Sequence, residues 1–336
     1  MFSFLLRRLL LSIPVLFGLM ALVFLLTRTI PSDPAAVLAG DQATPEQVAA
    51  IRTRLGLDRP LPTQFAYYIR QIATGDFGTS LYTHRPVAED LVQRLPATVE
   101  LGVSSLLLAF LIGVPLGVVS AVHRNTWIDY VTRGFTTGGL AVAAFWMAII
   151  LQLVFSMYFN LLPLAGRIAQ TDTPPQSITG LYVVDYLLHG NLHMAWQALL
   201  HLVLPTITLA LPAIATLARF MRSSMMETLQ KDFIAWERAV GYGHRRLIWI
   251  YALRNSLSAT VTQLGLIFGM FLSGSVIVEA IYDWPGLGDY LYLSITTSDY
   301  APILATTLLI GAIYALVNIA VDLLQAWIDP RVGEQQ

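Results

Sequence analysis

The amino-acid sequence predicts an all-α integral membrane protein with six transmembrane helices and both termini in the cytoplasm. Three observations carry that expectation. First, 56% of the 336 residues are hydrophobic and only 12% are charged, about half the charged fraction of a soluble domain. Second, six stretches of membrane-spanning length contain no Asp, Glu, Lys or Arg. Third, Lys and Arg are concentrated in alternate loops. The net charge of −1 hides that asymmetry, and the absence of cysteine removes disulfides and thiolate metal sites from consideration.

The six spans run approximately over 9–27, 101–122, 134–161, 194–218, 257–278 and 301–321. Helices are the natural choice, because lipid offers no partner to an unpaired backbone amide. Pro14, Pro115, Pro205 and Pro212 fall inside spans, where neighbouring helices re-satisfy the freed carbonyls and a proline kinks rather than terminates. Arg7 and Arg8 before the first span resemble the start of a signal peptide. The apolar run that follows is too long for one and lacks a small-residue cleavage site, so it is expected to stay as an anchor.

Orientation follows from basic residues. Arg124, Arg133 and the cluster Arg219, Arg222, Lys231, Arg238, Arg245, Arg246 and Arg254 share one side with Arg331. The loop 279–300, on the other side, has four acids and no base. The chain therefore divides into 1–27 (N-terminal region and first span), an extracytoplasmic insertion at 28–100, and a core at 101–336 that includes a long cytoplasmic loop, 219–254.

In the insertion, Thr44-Pro45-Glu46-Gln47 has the pattern of a capping box with proline in the first turn. Its helix should run to Leu55 and end at Gly56. A second helix is expected over 63–73, with Phe65, Ile69 and Ile72 on one face, stopping near Gly75. The insertion either caps the outer helix ends or offers a docking surface; both readings stay open. The second outward loop, 162–193, is rich in Pro, Gly and Thr and is expected to be irregular. His189 and His193 have the spacing of a helical metal pair, but Gly190 and Asn191 disfavour a helix and no carboxylate completes the set.

Loop 219–254 is expected to form a helix (220–229), a break near Lys231-Asp232, a second helix (233–240), a turn at Gly241-Tyr242-Gly243, and a third helix from His244. A protruding helix–turn–helix suits a groove in a cytoplasmic partner. Its basic residues suit anionic headgroups equally well.

A family resemblance chooses between these. Asp232-Phe233-Ile234, Arg238-Ala239-Val240-Gly241 and Ala252-Leu253-Arg254-Asn255 resemble the "EAA" loop of ABC importer permeases. More narrowly, the chain resembles the B-type permease of the dipeptide, oligopeptide and nickel uptake family. Further matching stretches are Leu6-Arg7-Arg8-Leu9, Ile30-Pro31-Ser32-Asp33-Pro34, Leu55-Gly56-Leu57-Asp58, Gly75-Asp76-Phe77-Gly78, Leu162-Pro163 and Gly166-Arg167. The most specific is Glu279-Ala280-Ile281-Tyr282-Asp283-Trp284-Pro285-Gly286-Leu287-Gly288, followed by Asp299-Tyr300 and Asp329-Pro330-Arg331. The chain departs from the family in having Ser32 for Gly, Val240 for Lys, and Ser258-Ala259 for Leu-Pro, the last implying a less kinked start to span five.

The resemblance implies a type I ABC importer permease fold in a bacterial inner membrane. It implies import of short peptides, or of nickel, glutathione or another small solute by the same architecture. It makes Asp232, Ala239, Gly241, Arg254 and Asn255 the element coupled to ATP hydrolysis. Glu279, Trp284, Pro285, Gly286 and Gly288 form an outer turn, where the indole is an interfacial anchor, part of a structural turn, or part of the pore mouth. Implied partners are a second homologous permease, two cytoplasmic ATPase subunits, a solute-binding protein and membrane lipid, with no nucleic acid. No phosphate-binding Gly-rich pattern occurs, and the resemblance implies that the partners use ATP and magnesium and that this chain holds no cofactor.

Two rival classes are disfavoured. An ion-coupled transporter places ionisable groups within its spans, and here His201 is the one strong candidate. An intramembrane enzyme needs a nucleophile with a base, a carboxylate pair or a metal, and Ser104, Ser105 and Ser120 have no such partner at usable spacing.

Overall fold

A computed structural model of the chain describes residues 2–29, 34–39, 43–54 and 56–328. Ile30–Asp33 and Asp329–Arg331 of the family-like stretches, and the Leu55 helix end, lie outside them. In chain order the helices are α1 (Phe2–Thr29), α2 (Pro34–Ala39), α3 (Pro45–Arg54), α4 (Leu61–Ala73), α5 (Val87–Val122), α6 (Trp127–Ala141) and α7 (Ala144–Leu151). There follow α8 (Tyr182–Leu188), α9 (Leu192–Thr228), α10 (Asp232–Ala239), α11 (His244–Arg246), α12 (Leu253–Ile281), α13 (Leu287–Thr296) and α14 (Tyr300–Ile328). Two π-helical stretches, Gln152–Tyr158 and Leu247–Ala252, extend α7 and lead into α12.

Among the described residues, four helices are long and apolar enough to cross a membrane, and two bent pairs bring the total to six. The third expected span is not straight: α6 and α7 meet at 102°. Val142 and Ala143 adopt extended backbone angles there, which interrupts the helical hydrogen-bond ladder. The fifth bends by 44° between 263–272 and 274–281. Three boundaries also move. α5 begins at Val87 rather than 101, α9 runs unbroken through the expected separate helix at 220–229, and the acidic loop 279–300 contains α13.

The fold divides into two compact units. In one, Phe2–Thr98 with Pro285–Ala315, the capping box forms as its sequence implies. The Gln47 amide donates to Thr44 Oγ1 at 3.4 Å, and the Thr44 amide donates to Gln47 Oε1 at 2.9 Å. α4 starts at Leu61, slightly earlier than expected, and lays Phe65 against Phe17 and Phe24 of α1. The core gathers Val87, Leu91, Leu287, Tyr290 and Ala305. Two buried carboxylates sit in it. Asp90 accepts from Thr83 and Tyr290, at 2.6 and 2.9 Å. Asp299 accepts from Ser80 Oγ and the Leu81 amide, at 2.7 and 2.6 Å. Burial pushes the Asp299 carboxyl above its ordinary value despite those bonds.

The other unit, Val99–Trp284 with Leu316–Gln336, is organised on α9, which packs against α6, α7, α8 and α12. Where α5 passes α9, Gly113 and Gly117 let the backbones approach. A Cβ on Gly117 would lie 2.6 Å from Met221 Cβ and 2.7 Å from the Ala218 carbonyl. Small residues four apart serve such contacts in membrane proteins, where dispersion replaces the hydrophobic effect. Gly117→Val is expected to destabilise the fold by at least about 1–3 kcal/mol through overpacking. Thermal unfolding of the detergent-solubilised protein checks this, with Gly134→Val, where a Cβ meets nothing within 4 Å, as the near-neutral control.

Candidate functional site

On the side carrying the basic residues, α10 is fixed by its inner face. Ile234 is fully buried against Val114, Val118 and Ala121 of α5, Met221 and Met225 of α9, and Leu247, Ile248 and Ala252. Phe233 packs beside it. The outer face is left open: Asp232, Ala239 and Arg238 are exposed, as are Trp236 and Val240 at 68% and 56%.

The helix ends in a Schellman motif. The Gly241 amide donates to the Arg238 carbonyl at 3.1 Å and the Tyr242 amide to the Glu237 carbonyl at 3.2 Å. That geometry requires a left-handed residue, and Gly241 has φ +94°. Tyr242 then lies tilted against Tyr251, ring centroids 5.3 Å apart, with the Arg246 guanidinium over its face. Arg254 and Asn255 stand exposed at the head of α12, where Asn255 Nδ2 donates to the Tyr251 carbonyl.

Two braces tie this end together. The Arg222 guanidinium makes a bidentate pair with Asp129 at 2.7 and 2.8 Å. Asp129 is fully buried and also accepts from Ser120 Oγ at 2.6 Å and from the Asn125 amide at 3.1 Å. Hydroxyls join α9 to α12: Ser256 Oγ donates to Thr228 Oγ1, Ser224 Oγ to the Ser256 carbonyl.

At the opposite end of the same unit, Arg167 is the organiser. Its guanidinium pairs with Glu100, donates to the Gly180 carbonyl at 3.0 Å, and lies 3.6 Å from the Tyr182 ring centroid and 5.5 Å from that of Trp284. Glu100 also accepts from the Val183 amide. Trp284 is 1% exposed, so its indole is not an interfacial anchor. α12 ends with Asp283 in the left-handed region at φ +48°, and the Trp284 amide returns to the Glu279 carbonyl at 2.9 Å. Glu279 is itself fully buried.

Tyr282 holds this end from within, with its hydroxyl against Thr208 and the Ala148 carbonyl and its own carbonyl accepting from Gly166. His201 Nδ1 faces the Ala165 and Gly166 carbonyls, which fixes it as a donor. Asp185 caps residues 178–180. Burial alone would raise its carboxyl, but bonds from the Thr179 hydroxyl and the 178, 179 and 180 amides together hold it below the ordinary range. His189 turns onto the Asp185 carbonyl, and Gly190 at φ +71° separates it from His193.

The peptide after Trp284 passes into the other unit. There Gly286 is the N-cap of α13, its carbonyl accepting from the Tyr290 amide at 3.2 Å, while Gly288 is buried in the first turn and Pro285 is exposed. Leu287, fully buried, donates its amide to Thr98 Oγ1.

An amphipathic lever on one face and a tightly pinned turn on the other suit transmission of movement rather than bond-making. Comparison with known proteins decides the family. Residues 113–334 match the model of the binding-protein-dependent transport system inner membrane component, and residues 1–102 match the N-terminal model of the same systems. The chain belongs to that family. The permease is 42% identical over 319 residues to a probable D,D-dipeptide transport system permease protein of Escherichia coli K12, covering 95% of this chain and 94% of that one. It is 40% identical to a dipeptide transport system permease protein of Alkalihalophilus pseudofirmus over 99% of both chains. A glutathione transport system permease protein of Salmonella choleraesuis is 36% identical, again over 99% of both. The permease is thus a multi-pass inner-membrane transport subunit and not an enzyme.

Asp232, Ala239 and Gly241 share one short helix and its turn, and α10 packs on the π-helical stretch that precedes Arg254 and Asn255. The sequence reading missed the Arg222–Asp129 and Arg167–Glu100 pairs. The available signal was a lone acid, Asp129, among basic loop residues. Arg167→Ala in the permease strands a buried Glu100 and is expected to cost about 3–5 kcal/mol. Arg167→Lys should recover part of it. Thermal melts of both variants check this, and equal melting temperatures to the parent would contradict the pairing.

Proposed function

We propose that this permease is one transmembrane half of an ATP-driven importer of short peptides. The observation that carries the reading is likeness to dipeptide permeases from two distant bacteria along essentially the whole chain. Both termini face the cytoplasm in this reading, which puts 219–254 inside and 28–100, 162–193 and 279–300 outside.

Energy comes from two ATPase subunits on other chains. They grip the outer face of α10 and the Gly241 turn, with Asp232, Ala239, Gly241, Arg254 and Asn255 as the coupling element. The exposed Trp236 and Val240 beside these residues give that face the aromatic and apolar character that protein contacts favour. Because Ile234 and Phe233 are packed into the ends of α5 and α9, a pull on α10 moves those helices as a body, and the pathway switches from inward- to outward-facing. A second, homologous permease supplies the other wall. A solute-binding protein delivers substrate near 28–100 and 279–300, where Glu279, Trp284, Pro285, Gly286 and Gly288 hold the chain's turn. Glutathione in place of a dipeptide is the second reading, supported by the Salmonella likeness. Competition between labelled dipeptide and glutathione for uptake separates the two.

The reading is tested by Gly241→Pro. Proline cannot take φ +94° and has no amide for the Arg238 carbonyl. The reconstituted complex is expected to assemble and hydrolyse ATP while ATP-dependent uptake falls to background. Parental uptake by that variant would refute the coupling assignment.

A further inference from the structure

A cavity of about 480 Å³ opens beside the Asp129–Arg222 brace, within the size range of small-molecule sites, ~300–1,000 Å³. Arg124, Arg133, Arg219 and Arg222 line it together with Thr132 and Thr136. The Thr132 and Thr136 hydroxyls already donate to the Ile128 and Arg133 carbonyls; Thr137 also lines the cavity, and the charged groups of its lining are the four guanidiniums. Arg222 spends two of its nitrogens on Asp129. Arg124, Arg133 and Arg219 are exposed and, among the described residues, have no carboxylate within ion-pair distance. Among the described residues, the cavity therefore holds a surplus of positive charge with no carboxylate paired to those three arginines.

The helix that carries one wall also marks a depth. α6 buries Asp129, Thr132, Thr136 and Gly139 on one face. On the other it exposes Trp127, Tyr130, Val131 and Phe135. Trp and Tyr in such a stripe sit at the level of lipid headgroups, with the aliphatic and Phe positions one turn deeper in the acyl region. Arg133 lies in the first two turns of that helix and Arg124 in the chain just before it, while Arg219 and Arg222 face the same cavity from α9. The negative groups at that depth are phosphodiesters, and the planar fork of arginine matches phosphate oxygens two at a time.

We propose that this cavity binds the phosphate of an anionic phospholipid, phosphatidylglycerol or cardiolipin, drawn from the inner leaflet. The lipid packs its chains on the Trp127–Phe135 stripe and its headgroup on Arg124, Arg133 and Arg219. It thereby holds the α5–α6 turn and α9 together beside the coupling helix. The inward placement rests on the topology proposed above; the charge and shape of the cavity do not.

The test is lipid titration of the full transporter complex by native mass spectrometry. Phosphatidylglycerol, cardiolipin and phosphatidylcholine are added in turn to the parent and to Arg124→Gln/Arg133→Gln/Arg219→Gln. Each basic residue at an anionic surface contributes about 1 kcal/mol, a factor of about 5, so the triple variant should bind the anionic lipids about 100-fold more weakly while phosphatidylcholine binding is unchanged. The Lys triple variant should keep most of the affinity, which separates loss of charge from loss of fold. Equal anionic-lipid binding by parent and Gln variant would overturn the proposal. So would arginine-dependent binding of inorganic phosphate alone, with lipid retention unchanged, which would make the ligand soluble. Sidedness is read separately in the cysteine-free chain: labelling of Asn125→Cys from outside intact cells would refute the topology, whichever way the lipid titration falls.

Discussion

How closely α5 can approach α9 is set by two residues without side chains, and the basic end of the core unit depends on that distance. At Gly117 the position of a Cβ is already taken by the Ala218 carbonyl and Met221, and at Gly113 by Leu217. With the backbones in contact, Val114 and Val118 face Met221 and Met225, and the pocket that receives Ile234 exists. Move the helices apart and α10 loses its seat. The membrane makes this constraint sharper than it would be in water, because lipid tails pack against a loosened helix as readily as another helix does.

The same helix, α9, joins the two ends of its unit. At the basic end it carries Arg222 to Asp129 and Thr228 to Ser256. Further along, Thr208 meets the Tyr282 hydroxyl, whose carbonyl in turn receives the Gly166 amide next to Arg167. Polar contacts of this kind do not stabilise a membrane bundle greatly, roughly 0.6 kcal/mol each, but they fix register. A helix so registered transmits a displacement rather than absorbing it.

Local signals in the sequence were legible and distant ones were not. The capping box before α3 and the Gly241 stop after α10 needed only neighbours a few residues away, and both formed as expected. The 102° bend between α6 and α7 was invisible because the residues on both sides of Val142-Ala143 are uncharged. Hydropathy measures length in lipid and says nothing of direction. α5 looked shorter than it is because Asp90 and Glu100 interrupt the apolar run; their partners Tyr290 and Arg167 lie far along the chain. The brace between Asp129 and Arg222 spans 93 positions, and only the fold brings its ends together. Trp284 was ambiguous by composition; its burial speaks against the interfacial-anchor reading.

The proposed coupling requires the exposed face of α10 to meet an ATPase. The most direct measurement places a single cysteine at Ala239 of the cysteine-free chain and pairs it with cysteines across the partner ATPase in the assembled complex. A disulfide should form with one ATPase groove, and its yield should change between nucleotide-free and ATP-bound states. Labelling of that cysteine only by lipid-phase or aqueous reagents, equally in both states and with no cross-link to an ATPase, would contradict it.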